Sequence, residues 1–269
     1  MDVVIIGSDD VQRYERVLQK RIRRGGEHPR DLCRFMLIQI GGPGHTLLQY
    51  VTSADMRRIL PPIESLRHLT IDFGISHPSD LVEFLASLKC ARHLVSLDIR
   101  CGTVDHMKAP LLEFSMDVIA QAQSDHIDRN TFGNLKSLAV DCGHEQMVLD
   151  IMLRAQNIQH IRISTAFGIL PFIPHTLPNF RTLCLQLRNG KKNYGNWNLS
   201  FAFGRGLLSP QEDTPKMLYM EGSEELTARW RGDIREVKKL CEHHDVPVIW
   251  RKRFEPPKYK EVSQVGAST

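Results

Sequence analysis

The densest set of chemistry-bearing side chains is Cys241-Glu242-His243-His244, which offers a thiol, a carboxylate and two imidazoles in four positions. These are zinc-type ligands, yet neighbouring residues on a helix diverge by about 100° and do not converge on one tetrahedral ion. His144-Glu145 begins the HExxH pattern of metalloproteases but lacks its second histidine. Gly41-Gly42-Pro43-Gly44-His45 falls between an expected strand and an expected helix, where phosphate loops lie. It lacks the Lys-Ser/Thr ending, and Pro43 removes an N–H donor. Val3 to Gly7, followed by Ser8-Asp9-Asp10, has the outline of a nucleotide-binding strand and turn. It carries one glycine where the fingerprint needs three, and two carboxylates where the phosphate would sit. No serine sits in a GxSxG elbow. The sequence thus predicts no catalytic residue, no metal and no cofactor, and a chain that is not an enzyme.

Composition sets wider bounds. The chain has 269 residues, 42% apolar and 25% charged, within the range of an ordinary globular protein. Aromatics are only 7%, so packing must rest on aliphatic side chains. A net charge of +4 is too mild to argue for nucleic acid or a membrane surface. The six cysteines, Cys33, Cys90, Cys101, Cys142, Cys184 and Cys241, are dispersed and form no CxxC. Reduced thiols are expected, and with them a cytoplasmic or nuclear location. The sequon Asn198-Leu199-Ser200 has no signal peptide ahead of it, and Val3-Val4-Ile5-Ile6 is too short to span a bilayer. No membrane partner is expected, and nucleic acid is disfavoured.

The elements that would position any site come from a repeat. Five runs read apolar-x-x-apolar-x-apolar: Leu66–Ile71, Leu94–Ile99, Leu135–Val140, Ile158–Ile163 and Phe180–Leu185. The last two start 22 residues apart, a leucine-rich-repeat period. Counted from Leu32, successive spacings are 34, 28, 41, 23 and 22. Within each run the last two apolar residues stand two apart, the strand period, and so face one side. Helices expected near 9–24, 46–60, 81–88, 111–123, 145–154 and 233–240 return the chain, and strands joined by such crossovers are parallel. Asp80…Glu83 and Asp233…Glu236 read as capping boxes. Further strands are expected at 2–6, 32–40, 217–220 and 246–250. The predicted class is α/β, an irregular leucine-rich-repeat solenoid with parallel strands on the concave side and helices on the convex side. Residues 1–30 form a first or capping repeat, 31–250 the repeat domain, and 251–269 a basic tail expected to be flexible. Cys101 and Cys142 fall one position short of the Asn/Cys site of the commonest leucine-rich repeat, so no regular side-chain ladder is expected.

These five runs, with the terminal helix and strand at Asp233–Trp250, resemble the repeat region of fungal F-box/leucine-rich-repeat proteins over residues 30–250. The resemblance implies a substrate receptor of a ubiquitin ligase, whose F-box recruits the Skp1 adaptor while the repeats hold the substrate. This chain departs from that pattern, because no F-box precedes the repeats. Skp1 is expected as a partner only where an F-box lies upstream, and a truncated chain is an alternative reading.

By strand parity, the residues expected on the concave face include Asp72, Asp98, Arg100, Asp141, His160, Arg162, Thr182 and Gln186. Solenoids commonly bind proteins there, although the same pattern would also make a plain solvated face. A second candidate is the loop holding Tyr194 and Trp197, in a Gly- and Asn-rich stretch from 189 to 214. Its aromatics would suit an interface or would cap the core. The predicted function is a protein–protein interaction scaffold with an unidentified protein partner. The alternative is an enzyme with a nucleotide site at the N-terminal strand. A basic stripe from Arg13 to Arg24 and the cluster Arg251-Lys252-Arg253 read as solvated surface.

Overall fold

The computed structural model describes residues 2–5, 8–23, 33–40, 53–60, 63–73, 80–101, 128–141, 144–164, 167–186, 217–221 and 231–251. Its strands are β1 (Asp2–Ile5), β2 (Phe35–Ile40), β3 (His68–Phe73), β4 (Ser96–Cys101), β5 (Ser137–Asp141), β6 (His160–Ile163), β7 (Thr182–Gln186), β8 (Met217–Glu221) and β9 (Val248–Arg251). They form one sheet in the order of the chain, and every pairing is parallel. The expected α/β class with a parallel sheet is therefore what the chain adopts. The described helices are α1 (Ser8–Arg23), α2 (Ser53–Ile59), α3 (Leu81–Ala86), α4 (Glu145–Leu153), α5 (Ile173–Thr176) and α6 (Arg231–His243).

The repeat residues explain the register. Met36, Leu69, Leu97, Leu138, Ile161, Leu183 and Leu218 lie side by side across successive strands, and all are buried. Ile38, Ile71, Ile99, Val140, Ile163, Leu185 and Met220 make a second buried row two residues on. A slip of one residue in any strand would turn its whole apolar set to the other face, so the two rows together pin the pairing. The first apolar residue of each run, from Leu66 through Leu94, Leu135 and Ile158 to Phe180, is buried just ahead of its strand. Helix residues such as Val11, Met56, Leu85, Val148, Ile151 and Val237 complete the same core. Fully burying one such side chain contributes about 1.5–3 kcal/mol.

A second regularity lies in the backbone. The carbonyl of Arg34 accepts from the N–H groups of both Arg67 and His68. The carbonyl of Arg67 does the same for Val95 and Ser96, that of Val95 for Lys136 and Ser137, that of Lys136 for Gln159 and His160, and that of Gln159 for Arg181 and Thr182. Five junctions thus share one geometry although the chain between them varies from 22 to 41 residues. Loop closure grows slowly with length, so long connections cost little extra once the junction is built.

Side chains reinforce the stack at a position not anticipated from the sequence. Asn134 Nδ2 donates to the Arg92 carbonyl at 2.8 Å, Asn157 Nδ2 to the Gly133 carbonyl at 2.6 Å, and Asn179 Nδ2 to Asn157 Oδ1 at 3.2 Å. Each asparagine immediately precedes the first apolar residue of its run. In the earlier run Ser65 holds this place, and its hydroxyl donates to the Cys33 carbonyl at 2.7 Å. This ladder stands ahead of the strands, at a different position from the Asn/Cys site that follows them in the commonest leucine-rich repeat.

Three local expectations also change. Asp80 precedes α3 but makes no side-chain cap; its carboxylate accepts instead from Arg57 on α2. Helix α6 begins at Arg231, so Asp233 lies inside its first turn rather than at a cap, and α1 begins at Ser8, one residue ahead of its expected start. The end of α6 has a clear cause. Asp245 takes φ 54°, Val246 N–H reaches back to the Cys241 carbonyl at 2.8 Å, and Pro247 follows. This is a left-handed helix stop usually filled by glycine. The expected helix at 111–123 lies outside the described residues.

Candidate protein-binding face

The face of the sheet opposite the buried rows carries the side chains between them. Three rows cross it. The first holds His68, Ser96, Ser137, His160 and Thr182; the second Thr70, Asp98, Ala139, Arg162 and Cys184; the third Asp72, Arg100 and Asp141, with Gln186 and Glu221 further along. The parity argument thus places its predicted residues on one side of the sheet. Tyr194 and Trp197 lie outside the described residues.

At the centre, Asp98 gathers two arginines. Its Oδ2 accepts from Arg100 Nη2 at 2.6 Å and Nε at 3.1 Å, and from Arg162 Nη2 at 3.1 Å. Arg162 is two strands away, with Ala139 in between. Strands two apart are separated by about 9.5 Å. A methyl group at 139 leaves room for the guanidinium to cross, and a longer side chain would lie in its path. The side chains are 13% (Asp98), 30% (Arg100) and 25% (Arg162) exposed. The triad is half-shielded, so its charges are screened less than a surface pair would be. The other oxygen of Asp98, Oδ1, is buried with no hydrogen-bond partner.

The remaining predicted residues divide. His160 Nδ1 lies 2.5 Å from Thr182 Oγ1, linking β6 to β7 at the solvent. Asp72 and Gln186 are half-buried. Asp141 departs from the expectation of an exposed contact residue. It is 8% exposed and accepts from the Ser164 hydroxyl, so it ties β5 to the end of β6 instead of meeting solvent. Glu221 on β8 was not singled out from the sequence, yet it is 3% exposed and its Oε2 has no hydrogen-bond partner. The signal available was an acidic residue at an apolar-run end, Met217-Leu218-Tyr219-Met220-Glu221.

The chemical candidates separate in space. Cys241 is buried, and burial pushes its thiol up to about 11, whereas His243 and His244 are exposed with rings 5.0 Å apart. Among the described residues no three His, Cys, Asp or Glu side chains converge on a metal position. The Gly41–His45 turn lies outside the described residues. No described helix is long and apolar enough to cross a membrane. Comparison with protein-family models, with curated proteins and with solved structures finds no match to this chain.

Proposed function

We propose that this chain is a non-enzymatic protein-binding scaffold, a leucine-rich-repeat-type solenoid that presents the open face of its sheet to a protein partner. The observation that supports the reading best is the repeated junction. Five irregularly spaced units share one backbone geometry, and together they hold a pre-ordered, polar, mixed-charge face. Rigid display lowers the ordering cost of association, and mixed charge favours selective pairing over bulk attraction. The Asp98–Arg100–Arg162 triad is the natural centre of such a face, with His160, Thr182, Gln186 and Asp72 around it. The substrate-receptor role implied by the resemblance is a narrower form of this proposal, and co-purification with Skp1 tests it. Cys33, Cys90, Cys184 and Cys241 are free thiols, which suits a reducing compartment such as cytosol or nucleus.

The test is partner retention by paired charge reversals. Asp98→Lys and Arg162→Glu are compared with Lys239→Glu on helix α6, each immobilised at equal folded amount. The reading expects the open-face variants to lose proteins that the wild type and the Lys239 variant both retain. Identical retention by all four chains would refute it.

A further inference from the structure

The sequence positions that form the repeated backbone junction also carry a row of charge. Arg34, Arg67, Lys136 and Arg181 each stand one residue ahead of a strand, and the junction hydrogen bonds stack these positions side by side, with Val95 and Gln159 filling the remaining places. Arg34, Lys136 and Arg181 are exposed, while Arg67 is half-buried and donates from Nη1 to the carbonyls of Glu64 and Leu66. Among the described residues, Glu64 and Asp128 lie along this rim and are already matched, Glu64 by Lys89 at 2.8 Å and Asp128 by Arg92 at 3.5 Å. Among the described residues, Arg34, Lys136 and Arg181 make no ion pair.

We infer that this rim, at the N-terminal ends of β2 to β7, seats an extended acidic segment of a protein partner. The inference deepens the proposed protein-binding reading and rests on it. From Arg34 to Arg181 is five strand spacings, about 24 Å. A fully extended chain of about seven residues spans that length. Beside the cations runs the row His68, Ser96, Ser137, His160 and Thr182, whose hydroxyls and imidazoles can hydrogen-bond a peptide backbone or carboxylates. Beyond that row Arg100 and Arg162 are already held by Asp98 and Asp141 is buried against Ser164, so the unmatched positive charge runs along a narrow strip at the rim. A peptide strand fits a strip of that width. A single-stranded nucleic acid fits poorly, because Phe35 beside Arg34 is the one Phe, Tyr or Trp in the row, and the positions from His68 to Thr182 carry none to stack successive bases.

The test uses the full chain and a fluorescein-labelled octaglutamate peptide, read by anisotropy at 25 and 300 mM NaCl. Octaglutamine and an octathymidylate strand serve as comparisons. The rim variant is Arg34→Glu/Lys136→Glu/Arg181→Glu, which leaves the loop-bound Arg67 in place. The control, Arg13→Glu/Arg16→Glu/Lys20→Glu on helix α1, makes the same change in net charge on another surface. Octaglutamate is expected to bind at low salt, weaken at high salt, and lose at least about tenfold in the rim variant but less than about twofold in the control. Should the rim variant lose its native circular dichroism, the Gln versions of the same three changes carry the comparison. Absence of binding, equal loss in both variants, or tighter rim-dependent binding of octathymidylate would each overturn the inference. Asp98→Lys and Arg162→Glu separate the two claims. If octaglutamate fails while these variants still release the natural partner, the rim alone falls. If octaglutamate binds the rim while these variants retain every partner, the open-face reading falls.

Discussion

The crossing of Arg162 over Ala139 to Asp98 can be measured as a coupling energy. Single substitutions would mislead here. Asp98→Ala removes three charge-assisted hydrogen bonds on Oδ2 but also removes the buried, unpartnered Oδ1. An orphaned buried acceptor is destabilising by about 1–3 kcal/mol, so the gain and the loss partly cancel. The double-mutant cycle Asp98→Ala with Arg162→Ala isolates the pair. Exposed ion pairs give about 0.2–1 kcal/mol, and breaking a fully buried one costs about 3–5 kcal/mol. With side chains 13% and 25% exposed at 3.1 Å, a coupling of about 1–2 kcal/mol is expected. Urea unfolding followed by circular dichroism provides the four stabilities, with matching m-values required for the cycle to be read. Ala139→Leu should reduce the coupling, because its side chain fills the crossing path. A coupling below about 0.3 kcal/mol, within ordinary additivity error, would show that the two strands are not joined through this pair. Unchanged coupling in the Ala139→Leu background would refute the role given to the small residue.

Other substitutions probe the stack and its ends. Asn157→Ala removes a donor to Gly133 and an acceptor for Asn179, and should lower stability by about 1–1.5 kcal/mol in urea unfolding, against little change for Lys239→Ala on the exposed side of α6. Asp245→Gly relieves a left-handed backbone at the end of α6. A gain of up to about 1 kcal/mol is expected, seen as a higher melting temperature. Burial raises the carboxyl pKa of Asp150 above its ordinary value of 3.8, so folding holds its proton more tightly than the unfolded chain does. Its charged form therefore opposes folding at neutral pH, and that penalty fades as pH falls towards the unfolded value. Asp150→Asn, which keeps a hydrogen-bonding partner for Gln146, should melt higher than wild type at pH 7 and equal to it below about pH 4. A constant difference across that range would assign the effect to packing instead.

The strands were legible because their signal is doubly periodic. Leu97 and Ile99 differ by two residues and so share a face, and the same pair recurs in each run, which fixes both secondary structure and register. Parity then placed Asp98, Arg100 and Arg162 together on the opposite face. It could not show that Arg162 spans two strands, since that depends on the size of the residue between. Nor could it show that Asp141 is buried, because the Ser164 that covers it lies at the end of another repeat. The asparagine ladder was present in the sequence as Asn134, Asn157 and Asn179 ahead of three successive runs. Sequence alone does not single it out, because an asparagine ahead of a strand bonds a backbone carbonyl of the preceding unit only once the units are stacked. Asp80 failed as a cap for a different reason: a nearby arginine on another helix competes for its carboxylate, and the Arg57 hydrogen bond holds its pKa below the usual range. Local sequence cannot anticipate a competitor 23 residues away.

Site-specific photo-crosslinking on the intact chain tests the central claim most directly. A photoreactive residue is placed in turn at Thr182 and Gln186 on the open face and at Glu236 and Lys239 on α6, and adducts are compared after irradiation in the native cellular setting. The open-face reading predicts discrete protein adducts from Thr182 and Gln186 that vanish when Asp98→Lys is added, with none from the helix positions. Adducts only from Glu236 and Lys239, or equal adducts from all four that survive Asp98→Lys, would contradict it.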